Sequence, residues 1–241
     1  MSHFLFAVLF LARVRIAHPG QRILWIGAHP DDESFVAPLL GHSCVDGRDA
    51  CAMVVMTRGE GGGDPAVRSA EMQRAADLFR SHLDLWDFAD VMANVDAAWS
   101  AEAGGHDALV QRLVAAIIQE NPTVIYTFDP NHGSSCHPAH RETGALVIAA
   151  LARLGPTAPR VMFAETTITY LPEGFMFGSA TPDAIAIDAK PTWHFLVDDI
   201  AIHASQFTSA QLDALRNIPD SERTVFVATV PAQQSICAGG G

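Results

Sequence analysis

Two short stretches concentrate side chains that bind metal ions and move protons. In "WIGAHPDDESF", residues 25–35, His29, Asp31, Asp32 and Glu33 stand directly behind an apolar run. In "DPNHGSSCHPAHRE", residues 129–142, His137 and His140 are three apart at an expected helix start. Residues i and i+3 share one helix face, so both imidazoles can serve one cleft. Capping explains part of the first stretch: Pro30 suits a first helical position, and acids there complement the helix dipole. It does not call for a histidine in front of two adjacent aspartates. Two imidazoles and a carboxylate, with a position left open for water, suit catalytic zinc. The same donor set serves non-haem iron oxygenases, and a non-catalytic metal- or sugar-binding module is a third reading.

The elements that must hold these residues alternate between two patterns. "RILWIGA" (22–28), "CAMVVMT" (51–57), "TVIYTF" (123–128) and "RVMFAET" (160–166) are near-continuous apolar runs, as expected of parallel strands covered on both faces. In 107–120 and 139–154 apolar residues recur at helical spacing, ended by "NP" and "GP". The alternation predicts an α/β fold, a doubly wound, Rossmann-like three-layer sandwich with a mainly parallel sheet. Such sheets bind ligands at the carboxyl ends of their strands, where both stretches fall. Iron oxygenases usually set their triad on an all-β jelly roll, so the alternation favours zinc.

Composition narrows the function classes. Acidic side chains outnumber basic ones 27 to 15, a formal net charge of −12, which argues against nucleic acid as a partner. With 49% hydrophobic residues and no linker-like stretch or internal repeat, residues 1–241 read as one domain. Cys44, Cys51, Cys136 and Cys237 form no CxxC pair and read as free buried thiols in a cytoplasmic protein. The run "FLFAVLFLA" (4–12) is too short for a membrane span and reads as a packing element, with a targeting or peripheral segment as the alternative. "GEGGGD" (59–64) matches no phosphate-binding motif and reads as a loop lining a cleft. Oligomeric state stays open, a homo-oligomer included.

"AHPDDE" (28–33), "TRGEGG" (57–62), "HPAH" (137–140) and "HASQ" (203–206) occur in the order found in the LmbE/PIG-L zinc-dependent N-deacetylases, which the chain resembles from about residue 22 to 207. The resemblance implies Zn²⁺ held by His29, Asp32 and His140, with Asp31 as general base. His137 would stabilise the oxyanion or protonate the leaving amine. Arg58 and Asp90 would contact the substrate, a small-molecule N-acetylated amino sugar or glycoconjugate. Departures from the family pattern are Leu78-Phe79 in place of Leu-Gly, Asp198 and Asp199 in the helix before "HASQ", and residues 171–184, which have no counterpart.

Overall fold

A computed structural model describes residues 20–171, 174–233 and 236–237. The apolar run 4–12 and the glycines after Cys237 lie outside them. In chain order the regular elements are β1 (Arg22–Gly27), α1 (Ala37–Leu40), β2 (Ala50–Thr57), α2 (Pro65–Leu78), β3 (Ser81–Phe88), α3 (Val95–Ala103), α4 (His106–Glu120), β4 (Val124–Phe128), α5 (Pro138–Leu154), β5 (Arg160–Ala164), β6 (Thr166–Leu171), β7 (Gly174–Ser179), β8 (Ile185–Asp188), α6 (Trp193–Ile202), α7 (Ser209–Arg216) and β9 (Thr224–Ala228).

Seven strands form one sheet in the order β3-β2-β1-β4-β5-β9-β8. The first five pair in parallel, and β9 lies antiparallel between β5 and β8. Successive residues of β1 face opposite sides of the sheet. Ile23 and Trp25 join α1, α2 and α6 in one core, while Leu24 and Ile26 join α3, α4 and α5 in the other. Leu24, Trp25 and Ile26 are wholly buried, each contributing about 1.5–3 kcal/mol of apolar burial. Covering on both faces is why the strands read as unbroken apolar runs. The fold class is therefore the expected mixed α/β layering around a mainly parallel sheet.

From β1 the chain steps outward to β2 and β3, then returns to the other side of β1 for β4 and β5. The crevice at this reversal opens between the ends of β1 and β4. Gly144 lets α5 press against the end of β4, since a Cβ there would lie 2.3 Å from the Phe128 carbonyl oxygen.

Three expectations need correction. The run 160–166 is not one strand: β5 stops at Ala164, and β6 leaves to form a hairpin with β7. That hairpin occupies part of 171–184. The cysteines are not free: Cys44 is bonded to Cys51 and Cys136 to Cys237. The second bridge joins residues 101 apart in sequence, a pairing that spacing could not reveal. Finally, Pro30 does not open a helix. The chain bends at Asp31, which has a left-handed backbone (φ 100°), and a short 3₁₀ turn follows over Asp32–Phe35. No helix among the described residues is long and apolar enough to cross a membrane.

Candidate metal and catalytic centre

The bend after β1 folds Asp32 back on the strand end. Its Oδ2 accepts hydrogen bonds from the backbone N–H of Ala28 (2.8 Å) and His29 (2.7 Å), leaving Oδ1 facing the crevice. From the other side α5 brings His140, whose Nε2 lies 3.0 Å from Asp32 Oδ1. His140 Nδ1 faces the Gly133 carbonyl oxygen at 3.0 Å, so Nδ1 carries a hydrogen. The ring also stacks on Phe128, with centroids 4.0 Å apart. A neutral imidazole held in this tautomer sets two acceptors against each other at 3.0 Å. A cation between them, proton or metal ion, removes the conflict.

His29 completes a donor set. Its Nδ1 is 3.5 Å from Asp32 Oδ2, and its Nε2 is 3.1 Å from Asp90 Oδ1. A carboxylate that accepts from one ring nitrogen leaves the other free as a ligand, the usual arrangement behind metal-bound histidine. Burial disfavours charge on His29, but Asp32 and Asp90 outweigh it and push the ring up to about 10. The same histidines hold Asp32 well below the usual carboxylate range in spite of its burial. The site draws positive charge, and a metal ion would compete for it with protons. His29, His137 and His140 offer nitrogens that all lie within 4.8 Å of one another, and Asp32 Oδ1 meets His140 Nε2 at 3.0 Å; by donor type imidazoles and a carboxylate fit zinc.

His137 lies among these groups, its ring 4.7 Å from that of His29 and 4.8 Å from that of His140. It caps α5, with Nδ1 accepting the Ala139 N–H. The hydrogen therefore resides on Nε2. Burial and the two neighbouring imidazoles push this ring down to about 4, which favours its neutral form.

Asp31 is raised to about 7, by burial first and then by the charge of Asp32. Arg68 opposes that rise: its Nη2 is 3.1 Å from Asp31 Oδ2. The same guanidinium donates to the carbonyl oxygens of Pro30 and Gly59, and the residue is only 4% exposed. Beneath this layer Glu33 is buried and 2.7 Å from His203 Nε2. Burial disfavours charge on His203, yet Glu33 and Asp199 raise it to about 9. Glu71 accepts from the N–H and hydroxyl of Ser205, fixing the loop that carries Gln206.

His29, Asp31, Asp32, Asp90, His137 and His140 all line one cavity of about 300 Å³, together with Arg68, Gln206 and the Gly61-Gly62 loop. Arg58 is the exception among the expected site residues. Its side chain is half exposed, pairs with Asp87 at 3.0 Å, and does not line the cavity. Asp90 does line it, although one oxygen serves His29 and the other accepts the Gly61 N–H. Sequence reasoning missed Arg68. A signal existed: Arg68 stands where the buried stripe of α2 (Met72, Ala75, Ala76) continues, and a charge on a buried stripe calls for a partner. His203 backs the site from beneath and does not line it.

A family model described as PIG-L, GlcNAc-PI de-N-acetylase, matches residues 24–151. No curated protein matches the chain in sequence. Among solved structures, N,N'-diacetylchitobiose deacetylase from Pyrococcus horikoshii, in complex with an inhibitor, is similar with a TM-score of 0.65 and 19% identity, over 88% of this chain and 84% of that one. A deacetylase from the teicoplanin biosynthesis pathway, in complex with teicoplanin, has a TM-score of 0.60 and 18% identity over 86% and 96%. The 4-carboxy-2-hydroxymuconate hydratase from Pseudomonas putida KT2440 has a TM-score of 0.59 and 17% identity over 90% and 99%. At these identities the likeness is one of fold, and it extends to chemistry other than deacetylation.

Proposed function

The chain belongs to the PIG-L family of de-N-acetylases, and on that footing we propose that it is a zinc-dependent N-deacetylase acting on an N-acetylglucosamine-type sugar or its conjugate. The products are a free amine and acetate. The observation that carries this reading is the opposition of His140 Nε2 and Asp32 Oδ1 at 3.0 Å, in a cavity that also holds a carboxylate of raised pKa. We assign His29, Asp32 and His140 as the ligands. A zinc ion held there would polarise the acetamide carbonyl and lower the pKa of bound water from about 15.7 towards about 7.

Asp31 is the base that takes the proton as water attacks the acetamide carbon. His137, with hydrogen on Nε2, donates a hydrogen bond to the oxygen that becomes negative. A neutral imidazole has no spare proton for the amine, so the proton held by Asp31 is the one returned to nitrogen as the C–N bond breaks. Arg68 keeps Asp31 from rising further and aims its carboxylate. Substrate hydroxyls are read by Asp90 and Gln206 at the cavity wall, and Arg58 takes no part. The two disulfides favour an oxidising compartment over the cytoplasm.

A panel of N-acetylated amino sugars assayed for acetate release, before and after removal of metal by a chelator, tests the reading. Release that disappears with the metal and returns with zinc supports it. Activity that requires Fe(II) and oxygen, or a metal-loaded chain inert on every acetamide, overturns it.

A further inference from the structure

The loop between β4 and α5 has three residues in succession or nearly so with left-handed backbones: Gly133 (φ 57°), Ser134 (φ 60°) and Cys136 (φ 61°). For Ser134 and Cys136 that conformation is costly and persists only where the surroundings impose it. The loop is nevertheless the part that aims the histidines. The Gly133 carbonyl oxygen and the Ser135 hydroxyl both meet His140 Nδ1, and Cys136 directly precedes His137.

What imposes the loop comes largely from the C-terminal tail. Asp129 Oδ2 accepts the Ala232 N–H at 2.6 Å, and Asn131 Nδ2 donates to the Ala232 carbonyl oxygen at 2.6 Å. Cys237 then bonds covalently to Cys136. A buried trio of Asp129, His132 and Glu165 completes the clamp. It resembles a second metal site, but the Ser134 N–H donates to His132 Nδ1 at 3.0 Å, so Nε2 carries the hydrogen and faces Glu165 at 2.9 Å. The contact is one of distance and charge, since His132 Nε2 has no aligned hydrogen-bond partner among the described residues.

We propose that Cys136 and Cys237 are positioning residues for the deacetylation site: their bond straps the tail to the histidine loop, and breaking it loosens His140 and weakens metal binding. The inference rests on the metal-dependent reading above. A dithiol reductant would transfer two electrons and two protons to the S–S bond, giving two thiols and its own disulfide, so the site would be sensitive to thiol redox state.

The experiment compares zinc affinity, by competition with a chromophoric chelator, in the wild-type chain, C237S, and C44S/C51S, at a temperature where each is folded by circular dichroism. C237S is expected to bind zinc about 10–100-fold more weakly, the range for removing an outer support of a metal ligand. C44S/C51S, which loses only the distant bridge, should match wild type in affinity even if its melting temperature falls. Phosphine reduction of the folded C44S/C51S chain gives a second route if C237S does not fold, and reoxidation should restore affinity. C237S or the reduced chain binding zinc within twofold of wild type overturns the strap while leaving the deacetylase reading intact. A wild-type chain that binds no zinc overturns both.

Discussion

Asp31 and Asp32 are adjacent in sequence and opposite in character. Asp32 is tied by two backbone N–H groups and faces two imidazoles, which hold it ionised; Asp31 is half-buried beside that charge and is raised to about 7. On the proposed deacetylase reading, Asp31→Asn should bind zinc as the native chain does, by elemental analysis, while kcat falls by about 10²–10⁴. Removing the cation that opposes the rise shifts Asp31 further up. Arg68→Gln is expected to move the acidic limb of the kcat/KM profile to higher pH, and an unmoved limb would separate Arg68 from Asp31. The two clusters that line the cavity were legible because each is local, a run of a few residues at one strand end. Arg68 and the service of Asp90 to His29 were not, because helix and loop meet the site only in three dimensions. Arg58 follows β2 at the expected place in sequence, while its guanidinium pairs with Asp87 outside the cavity.

At the scale of elements, the site depends on how closely α5 can approach β4. Gly144 has no room for a side chain against the Phe128 carbonyl, and four residues earlier on the same helix stands His140. Gly144→Ala should cost about 1–3 kcal/mol in urea unfolding, as expected of overpacking. It should also weaken zinc binding, because α5 must back away from Asp32. A variant with wild-type affinity would show that the helix relieves the clash without moving the histidine. The parallel strands β1, β2, β4 and β5 and the helices α4 and α5 were visible in apolar periodicity. The β6–β7 hairpin and the β8–β9 pair were not. Their strands are short and half-exposed, and β9 owes its place to pairing with β5, across sixty residues of chain.

Seen whole, the chain buries a second polar layer beneath the first. His203 is raised from 6.5 to about 9 by Glu33 and Asp199, in spite of its burial, and Asp199 is raised in turn by burial and by Glu33. A histidine raised on folding stabilises the fold fully below pH 6.5 and ceases to do so as pH climbs through 9. The raised Asp199 acts with the same sign. The share of stability that His203 supplies should accordingly fall by on the order of 3 kcal/mol between pH 6 and pH 10, beside a loss of the same sign from His29 in the metal-free chain. His203→Gln should flatten that slope, which chemical denaturation at a series of pH values would measure. In the sequence "HASQ" was legible only as part of the family resemblance, and the burial of His203 against Glu33 appears in the fold alone.

The backbone of Asp31 has one more consequence. Its φ of 100° suits glycine better than any residue with a Cβ, and the half-buried carboxylate it carries stands beside another. Asp31→Gly should thus melt at a higher temperature than the native chain while losing its turnover. Selection for toughness and selection for hydrolysis would pull this position in opposite directions, and the aspartate records which of them prevailed.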